Sequence, residues 1–540
     1  MRTTAQNEFP RDPFATARAA FEDLLAWLLG DARQMNHADL EEELIPRGRQ
    51  LLRRLLQGFY DHRLVRERRA QPHAPQAVTH TARVRFRSLE TSVGRVRVGR
   101  LAWTWRRTRS RRPSRAKVTP PSQAATMPTD RELSLPPQMY SLPLQKRAAE
   151  QAARMAFDAA GEQLDRFTDG HLPKRQMLQG IARVAQDYEA FYKQLPTAAA
   201  NDTGSERAVE VMSVDATGVR VRPEALREAT RKEAAEQARE TVKGDPLASR
   251  KARTHDHRMA VVTANWEQER RVRRPEDILR ELRRGPSSPS VTRHRGRTKA
   301  AGRGTLARRI VRQKKLPPPQ NKRVSASLEE DSRARIKAMF DEADRRDPER
   351  TRDRVALTDG SEAQLDQIRE QARARGVWVT IVLDLIHVLH YVWLAAMALH
   401  ADDKRTSAAW VCDITERLMT RPVVDVVAAM RQMATLRKLS GTARETVDHT
   451  ADFLAKNASC LDYGAYLKAG LPIATGVIEG VCRYLVKDRM DITGARWGLV
   501  GGEATLRVRA LIVSGHWDAY WEFHLRKEHE RNYPAAKEAA

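Results

Sequence analysis

Between residues 209 and 384, short apolar runs alternate with helical stretches, and three of the runs lead directly into an aspartate. Residues 209–214 (Val-Glu-Val-Met-Ser-Val) end on Asp215, residues 354–358 (Arg-Val-Ala-Leu-Thr) on Asp359 and residues 377–383 on Asp384. Runs rich in β-branched residues, separated by helical patterns, predict an α/β fold with a mixed or parallel sheet. Further strands are expected just past a turn after Asp215, at 259–265 and at 323–328, with helices at 332–345 and 362–375. Open sheets of this kind place their sites at strand ends, where these acids stand.

A second organised stretch lies at residues 470–491. Pro472 and Gly476 punctuate its start, as in a loop entering a helix. Ile478, Cys482, Leu485 and Val486 then recur at helical spacing, and Glu479, Arg483 and Lys487 fall at i, i+4 and i+8 as one strip. Most such strips are simply the solvated side of an amphipathic helix. Here the acid opens the helix, and aspartates end apolar strands upstream, which points to a carboxylate metal site. Three carboxylates from separate elements can hold two Mg²⁺ ions, which take hard oxygen ligands. Two such ions, about 3.5–4 Å apart, drive in-line phosphoryl transfer.

Charge narrows the class further. Residues 81–117 carry 13 Lys/Arg and one acid, residues 282–323 carry 14 and none, and together they supply 26 of the net charge of +27. Charge concentrated in this way is the footprint of a polyanion binder, and no amphipathic membrane helix accompanies either block. No run of 18 apolar residues spans a membrane. The N-terminal residues do not read as a signal peptide. Cys412, Cys460 and Cys482 are too few and too scattered for a zinc ribbon or a disulfide framework. These features lead to the expectation of a cytoplasmic, nucleoid-associated protein.

Upstream of the alternating region, residues 1–75 read as helical and 76–130 as a basic small β region with bends near Gly94 and Gly99, followed by an Arg/Ser/Pro-rich linker. Residues 131–200 read as one helix over 148–164, a turn at 168–173, and a second helix over 174–192 opened by Lys174 and Arg175. That order is compatible with helix-turn-helix docking on DNA. Residues 385–470 are almost wholly helical, and 471–540 add Arg496, Trp497 and an aromatic cluster of Trp517, Tyr520, Trp521 and Phe523.

The block from Leu471 to Trp497 resembles the C-terminal signature of bacterial insertion-sequence transposases of the ISKra family. So do residues 381–389 (Ile-Val-Leu-Asp-Leu-Ile-His-Val-Leu), 517–521 (Trp-Asp-Ala-Tyr-Trp) and, more weakly, 220–227. The resemblance runs from about residue 45 to the end. It implies a DDE transposase with an RNase H-like core, related to Mutator-like enzymes: 201–384 as the first part of the core with a basic insertion at 282–323, 385–470 as a helical insertion, and 471–540 as the rest of the core. It implies Asp215 and Glu479 as the first and last catalytic, metal-binding acids. Asp359-Gly360 fits the family's second Asp and Asp384-Leu-Ile-His387 its following motif, so Asp359 is the expected middle ligand, Asp384 the alternative, and Asp384 with His387 supporting groups. Two departures are Asp215-Ala-Thr-Gly, where the family shows Asp-Gly, and His390, where an acid is commoner.

The implied activity is metal-dependent cleavage and strand transfer at element ends, with two Mg²⁺ ions and Mn²⁺ as a substitute. The implied partners are double-stranded DNA (terminal repeats and target) and further copies of the chain on DNA, with Arg483, Lys487, Lys174, Arg175 and Arg496 on phosphates. The alternatives are a catalytically inactive transposase-derived DNA-binding protein and an RNase H-like nuclease without strand transfer.

Overall fold

The computed structural model describes residues 12–69, 78–107, 127–195, 208–233, 256–284, 318–400, 403–474 and 476–534. Most of the basic block at 282–323 and of the linker before residue 127 lies outside them. The chain divides into two compact units, residues 1–194 with 500–540, and residues 195–499. Residues 500–540 therefore belong with the N-terminal region, not with the alternating core where the sequence reading put them.

The first unit begins with a helical hairpin, α1 (Ala15–Leu29) and α2 (His37–Arg69). A two-stranded antiparallel sheet follows, β1 (Val78–Thr91) and β2 (Gly94–Arg107). Gly94 does make the bend, at φ +102°, because the tight turn needs the left-handed region. Gly99 does not: it pairs with Phe86 inside the ladder, and a Cβ there would lie 2.5 Å from Leu64 of α2. Close packing of helix on hairpin, not chain reversal, is what requires that glycine.

The single helix expected over 148–164 is two, α3 (Leu142–Arg154) and α4 (Phe157–Phe167), because Met155 is extended. The helix expected over 174–192 also splits, into α5 (Lys174–Val184) and α6 (Tyr188–Gln194). Neither break contains Pro or Gly, so no local signal marks it.

The second unit is built on a mixed five-stranded sheet of order β5-β4-β3-β6-β7. The central strand β3 (Ala208–Arg220) pairs antiparallel with β4 (His257–Glu269), which pairs antiparallel with β5 (Gln320–Ser327). A helix, α7 (Pro275–Arg284), lies between β4 and β5 in the chain. After α8 (Ser332–Arg346), β6 (Arg354–Thr358) runs parallel to β3. After α9 (Glu362–Arg375), β7 (Val379–Leu383) runs parallel to β6. The parallel pairs are the ones joined by helical crossovers, as chain reach demands.

One face of this sheet is apolar. Met212, Val214, Val261 and Ala356 pack beneath Ile336, Met339, Phe340 and Ala343 of α8 and Ile368 of α9. Alternation along β3 turns Val211, Ser213 and Asp215 to the opposite face.

The helical segment predicted for 385–470 is α10 (Leu385–Leu399), α11 (Lys404–Thr420), α12 (Val423–Leu436), α13 (Gly441–Lys456) and the short α14 (Tyr463–Lys468). Its anchor is α10, whose Leu385, Val388, Val392, Ala395, Ala396 and Leu399 are buried. The chain then runs through α15 (Gly476–Val481) and a π-helix at Cys482–Lys487. It ends with α16 (Leu499–Val513) and α17 (Trp517–Asn532). In the first unit, the α17 aromatics Trp517, Tyr520, Trp521 and Phe523 are buried, and Phe191 of α6 meets Tyr520 edge-on with ring centroids 5.5 Å apart.

Candidate functional site

Three acids converge on one end of the sheet because the parallel registers are unshifted. Ser213 pairs with Leu357, and Thr358 pairs with Leu383. Two residues beyond the first pair come Asp215 and Asp359; one residue beyond the second come Asp359 and Asp384. All three therefore stand at one level of β3, β6 and β7. The backbone N–H of Asp384 donates to the Thr358 carbonyl (2.9 Å), which continues that alignment past the strand ends.

Asp215 is not at the end of its strand, as the sequence had suggested. β3 continues to Arg220, and Asp215 pairs with Val262 of β4. The long antiparallel partner carries the strand onward, while the shorter β6 stops beside Ser213. Asp215 is thus inside the ladder on one side and at the edge of the parallel pairing on the other. Its Oδ1 accepts from the Ala216 N–H (2.7 Å).

Asp359 occupies the turn after β6, where its Oδ1 accepts from the Ser361 N–H (2.9 Å). Gly360 has φ +93°, and a Cβ there would lie 2.8 Å from Leu383. The sharp exit from β6 is open to glycine alone. Asp384 is buried and accepts from the Ile386 N–H (2.8 Å), the N-cap of α10. His387 follows one turn into α10 and is half-buried.

Glu479 reaches the same end of the sheet through α15, which packs on β3 and β4. Cys482 ties this segment to the site: its Sγ–H donates to Asp215 Oδ2 at 3.3 Å. Burial, then the charge of Asp215, raises the thiol well above its ordinary value, and Glu479 adds in the same direction. Beyond it, the backbone N–H of Trp497 donates to the Arg220 carbonyl (3.1 Å) and that of Arg222 donates to the Trp497 carbonyl (2.9 Å), fastening this segment to the end of β3.

The strip of Glu479, Arg483 and Lys487 departs from the expectation of one regular α-helix. Glu479 is in the α turn, whereas Arg483 and Lys487 belong to the π-helix, whose i→i+5 bonding shifts their angular spacing. All three remain exposed, and Arg483 is 3.8 Å from Asp488. Arg496 is exposed as well. Lys174 and Arg175 open α5 in the first unit, both exposed, with Lys174 paired to Asp158 at 2.6 Å.

Among the described residues, no cation forms an ion pair with Asp215, Asp359 or Glu479, although basic residues outnumber acidic ones 96 to 69. Two in-register carboxylates suit Mg²⁺, which is commonly held by one or two carboxylates with waters and substrate phosphates completing its shell. No group of three or more His, Cys, Asp or Glu among the described residues is gathered closely enough to hold a metal ion. The donor chemistry and sheet position of Asp215 and Asp359 fit such an ion; Glu479 is adjacent rather than converged on both.

Cys482 is a site residue that sequence reasoning missed. Its spacing puts it on the apolar side of the Glu479 helix, and its place beside Asp215 emerges only when that helix docks on β3. The helical segment contributes too: Phe453 of α13 lies 3.2 Å from where a Cβ on Gly360 would be, and the Tyr463 hydroxyl donates to the Leu383 carbonyl (2.8 Å). No helix among the described residues is long and apolar enough to cross a membrane. No protein-family model matches this chain, and no curated protein matches it.

Proposed function

We propose that this chain is a DNA transposase of the DDE type, cutting element ends and joining them to target DNA in a divalent-metal-dependent reaction. The observation that carries this reading is the alignment of Asp215 and Asp359 on adjacent parallel strands, without cationic partners among the described residues, beside the segment bearing Glu479. The sheet order and directions also support it. Three antiparallel strands followed by two strands parallel to the first is the arrangement of an RNase H-like core, here with a helical insertion between β7 and Glu479.

In this mechanism Asp215, Asp359 and, from the adjacent segment, Glu479 would hold Mg²⁺. The bound ions would supply activation of the attacking oxygen and neutralisation of the leaving oxygen. Cys482 and the Ala216 N–H donate to one oxygen of Asp215 each, and the remaining lone pairs of the two oxygens would be left for the cation. Asp384 holds the start of α10 in place below Asp359, with His387 one turn on. Arg483, Lys487 and Arg496 present cations to DNA phosphates, which they would position without reading sequence. Lys174 and Arg175 do the same from the first unit, and the basic block at 282–323 adds electrostatic capture whose strength falls with salt.

The test is incubation of the purified chain with Mg²⁺ and linear DNA carrying the sequences that flank its own gene, with products resolved on a denaturing gel. Cleaved and joined products are expected, with Mn²⁺ as a substitute metal. Cleavage without joining would make it an RNase H-like nuclease, and retention of DNA without cleavage an inactive DNA-binding protein.

A further inference from the structure

The helix α2 spans 33 residues, and one line of positions along it is left largely exposed by the other described residues. Ile45, Leu52, Leu55 and Phe59 are 41–53% exposed, and His62, whose ring lies 6.2 Å from that of Phe14, and Arg66 continue the line, also exposed. The spacing is 7, 3, 4, 3 and 4, an a/d heptad seam. The one d position missing from the series is Gly48, where an added Cβ would meet nothing within 4 Å. The other sides of the helix are already used. Leu56, Tyr60 and Leu64 face the β1–β2 hairpin, and Arg47 stacks over Trp27 of α1 at 4.1 Å. The seam from residue 45 to 66 is about 31 Å long at 1.5 Å per residue. Large apolar side chains repeated at this period mark a helix-packing surface rather than scattered exposure.

Charge along α2 selects the occupant. Its first turns carry Asp39, Glu41, Glu42 and Glu43, and its last turns Arg63, Arg66, Arg68 and Arg69. A parallel pair of α2 helices would set acids against acids and arginines against arginines. An antiparallel pair about an axis near Leu55 brings Leu52 against Phe59, Ile45 against Arg66, and Glu42 against Arg69. Charge complementarity of that kind fixes register and suppresses the wrong orientation, and the surface is self-complementary as a two-fold interface requires. We propose that α2 forms an antiparallel, isologous interface with α2 of a second copy of this chain. This stands whether or not the chain proves to be an enzyme.

The test is sedimentation equilibrium of the full chain across a concentration series, beside Leu52→Glu/Phe59→Glu. The wild type should approach twice its monomer mass, and the double variant should stay monomeric and keep the melting temperature of the wild type diluted to where it is monomeric, since both positions are exposed. A wild-type chain that remains monomeric up to about 100 µM, a concentration that would reveal any interface of ordinary strength, would mean that something else covers the seam and would overturn the proposal. A double variant that still dimerises would overturn it too. Orientation is read separately: under oxidation Leu55→Cys should cross-link between copies and Ile45→Cys should not. A cross-link through Cys at 45 would establish a parallel pair and refute the antiparallel assignment.

Discussion

The two faces of the five-stranded sheet treat carboxylates in opposite ways. On the face under α8, Glu342 is buried inside a cage of cations, meeting Arg323, Arg345 and Arg346, and Glu210 is buried nearby with Arg346 3.8 Å away. Burial alone would raise Glu342, but the guanidiniums of Arg345, Arg323 and Arg346 hold it down at about 2. Glu210 has one distant arginine and an Asn265 amide, so burial prevails and pushes it up to about 7. On the other face Asp215, and at the strand ends Asp359, have only backbone N–H and thiol donors among the described residues. Many acids of this chain lack an ion pair; what sets Asp215 and Asp359 apart is that they stand at one level on adjacent parallel strands, where a cation from outside could meet both. A carboxylate's environment, more than its residue type, separates structural from functional acids.

The largest expected effect breaks the functional side of this contrast. Asp215→Asn and Asp359→Asn should each lower DNA cleavage by more than the roughly 10–100-fold that loss of a merely supporting group costs. The melting temperature should hold, because neither carboxylate is part of an ion pair. Calorimetric titration with Mn²⁺ should show weakened binding in both variants; cleavage at wild-type rate in either would remove that acid from the site.

Next comes the structural side. Glu342→Gln leaves three arginines around a neutral group, and breaking a buried charge network in this way costs about 3–5 kcal/mol. Urea denaturation should report the loss, while cleavage by the still-folded fraction persists. A stability change within error would mean that water, not Glu342, balances those guanidiniums.

A smaller effect separates the two middle acids. Asp384→Ala removes the cap of α10 and should cost about 0.5–2 kcal/mol, with cleavage reduced but measurable. A variant of normal stability and no activity, next to an active Asp359→Asn, would exchange their roles.

The smallest effect is a pH dependence. The pKa of Glu210 is higher in the folded chain than its ordinary 4.5, so between about 4.5 and 7 the native state holds the extra proton. Stability from this group is therefore present at low pH and declines as pH rises through that window. Glu210→Gln should flatten the fall in melting temperature between pH 5 and 7.5. Glu342 acts oppositely and lower down, losing its contribution as pH drops from about 4.5 towards 2. An unchanged slope in Glu210→Gln would assign the fall to other groups.

Much of the second unit was legible in the residues. The helix predicted at 362–375 is α9, residue for residue, because its apolar period runs from the Asp359-Gly360 exit to the left-handed cap at Gly376. The cap role of Asp384 has an equally local origin: an acid directly before a long apolar helical run has the first N–H groups of that helix as partners. The breaks at Met155 and between Val184 and Tyr188 were not, since no residue there forbids helix and packing alone ended it.

By itself, then, the sequence determined which segments bury an apolar stripe and which acids stand beside them, because both depend on spacing along the chain. Only the tertiary structure decided that Asp215, Asp359 and Asp384 share one level, because parallel register is set by packing between distant segments. It also decided that the Glu479 helix loosens into a π-helix at Cys482, where docking on β3 brings the thiol to Asp215. Which acids receive a cation was decided there as well, since the arginines that neutralise Glu342 come from β5 and α8, and their convergence exists only once the sheet is covered.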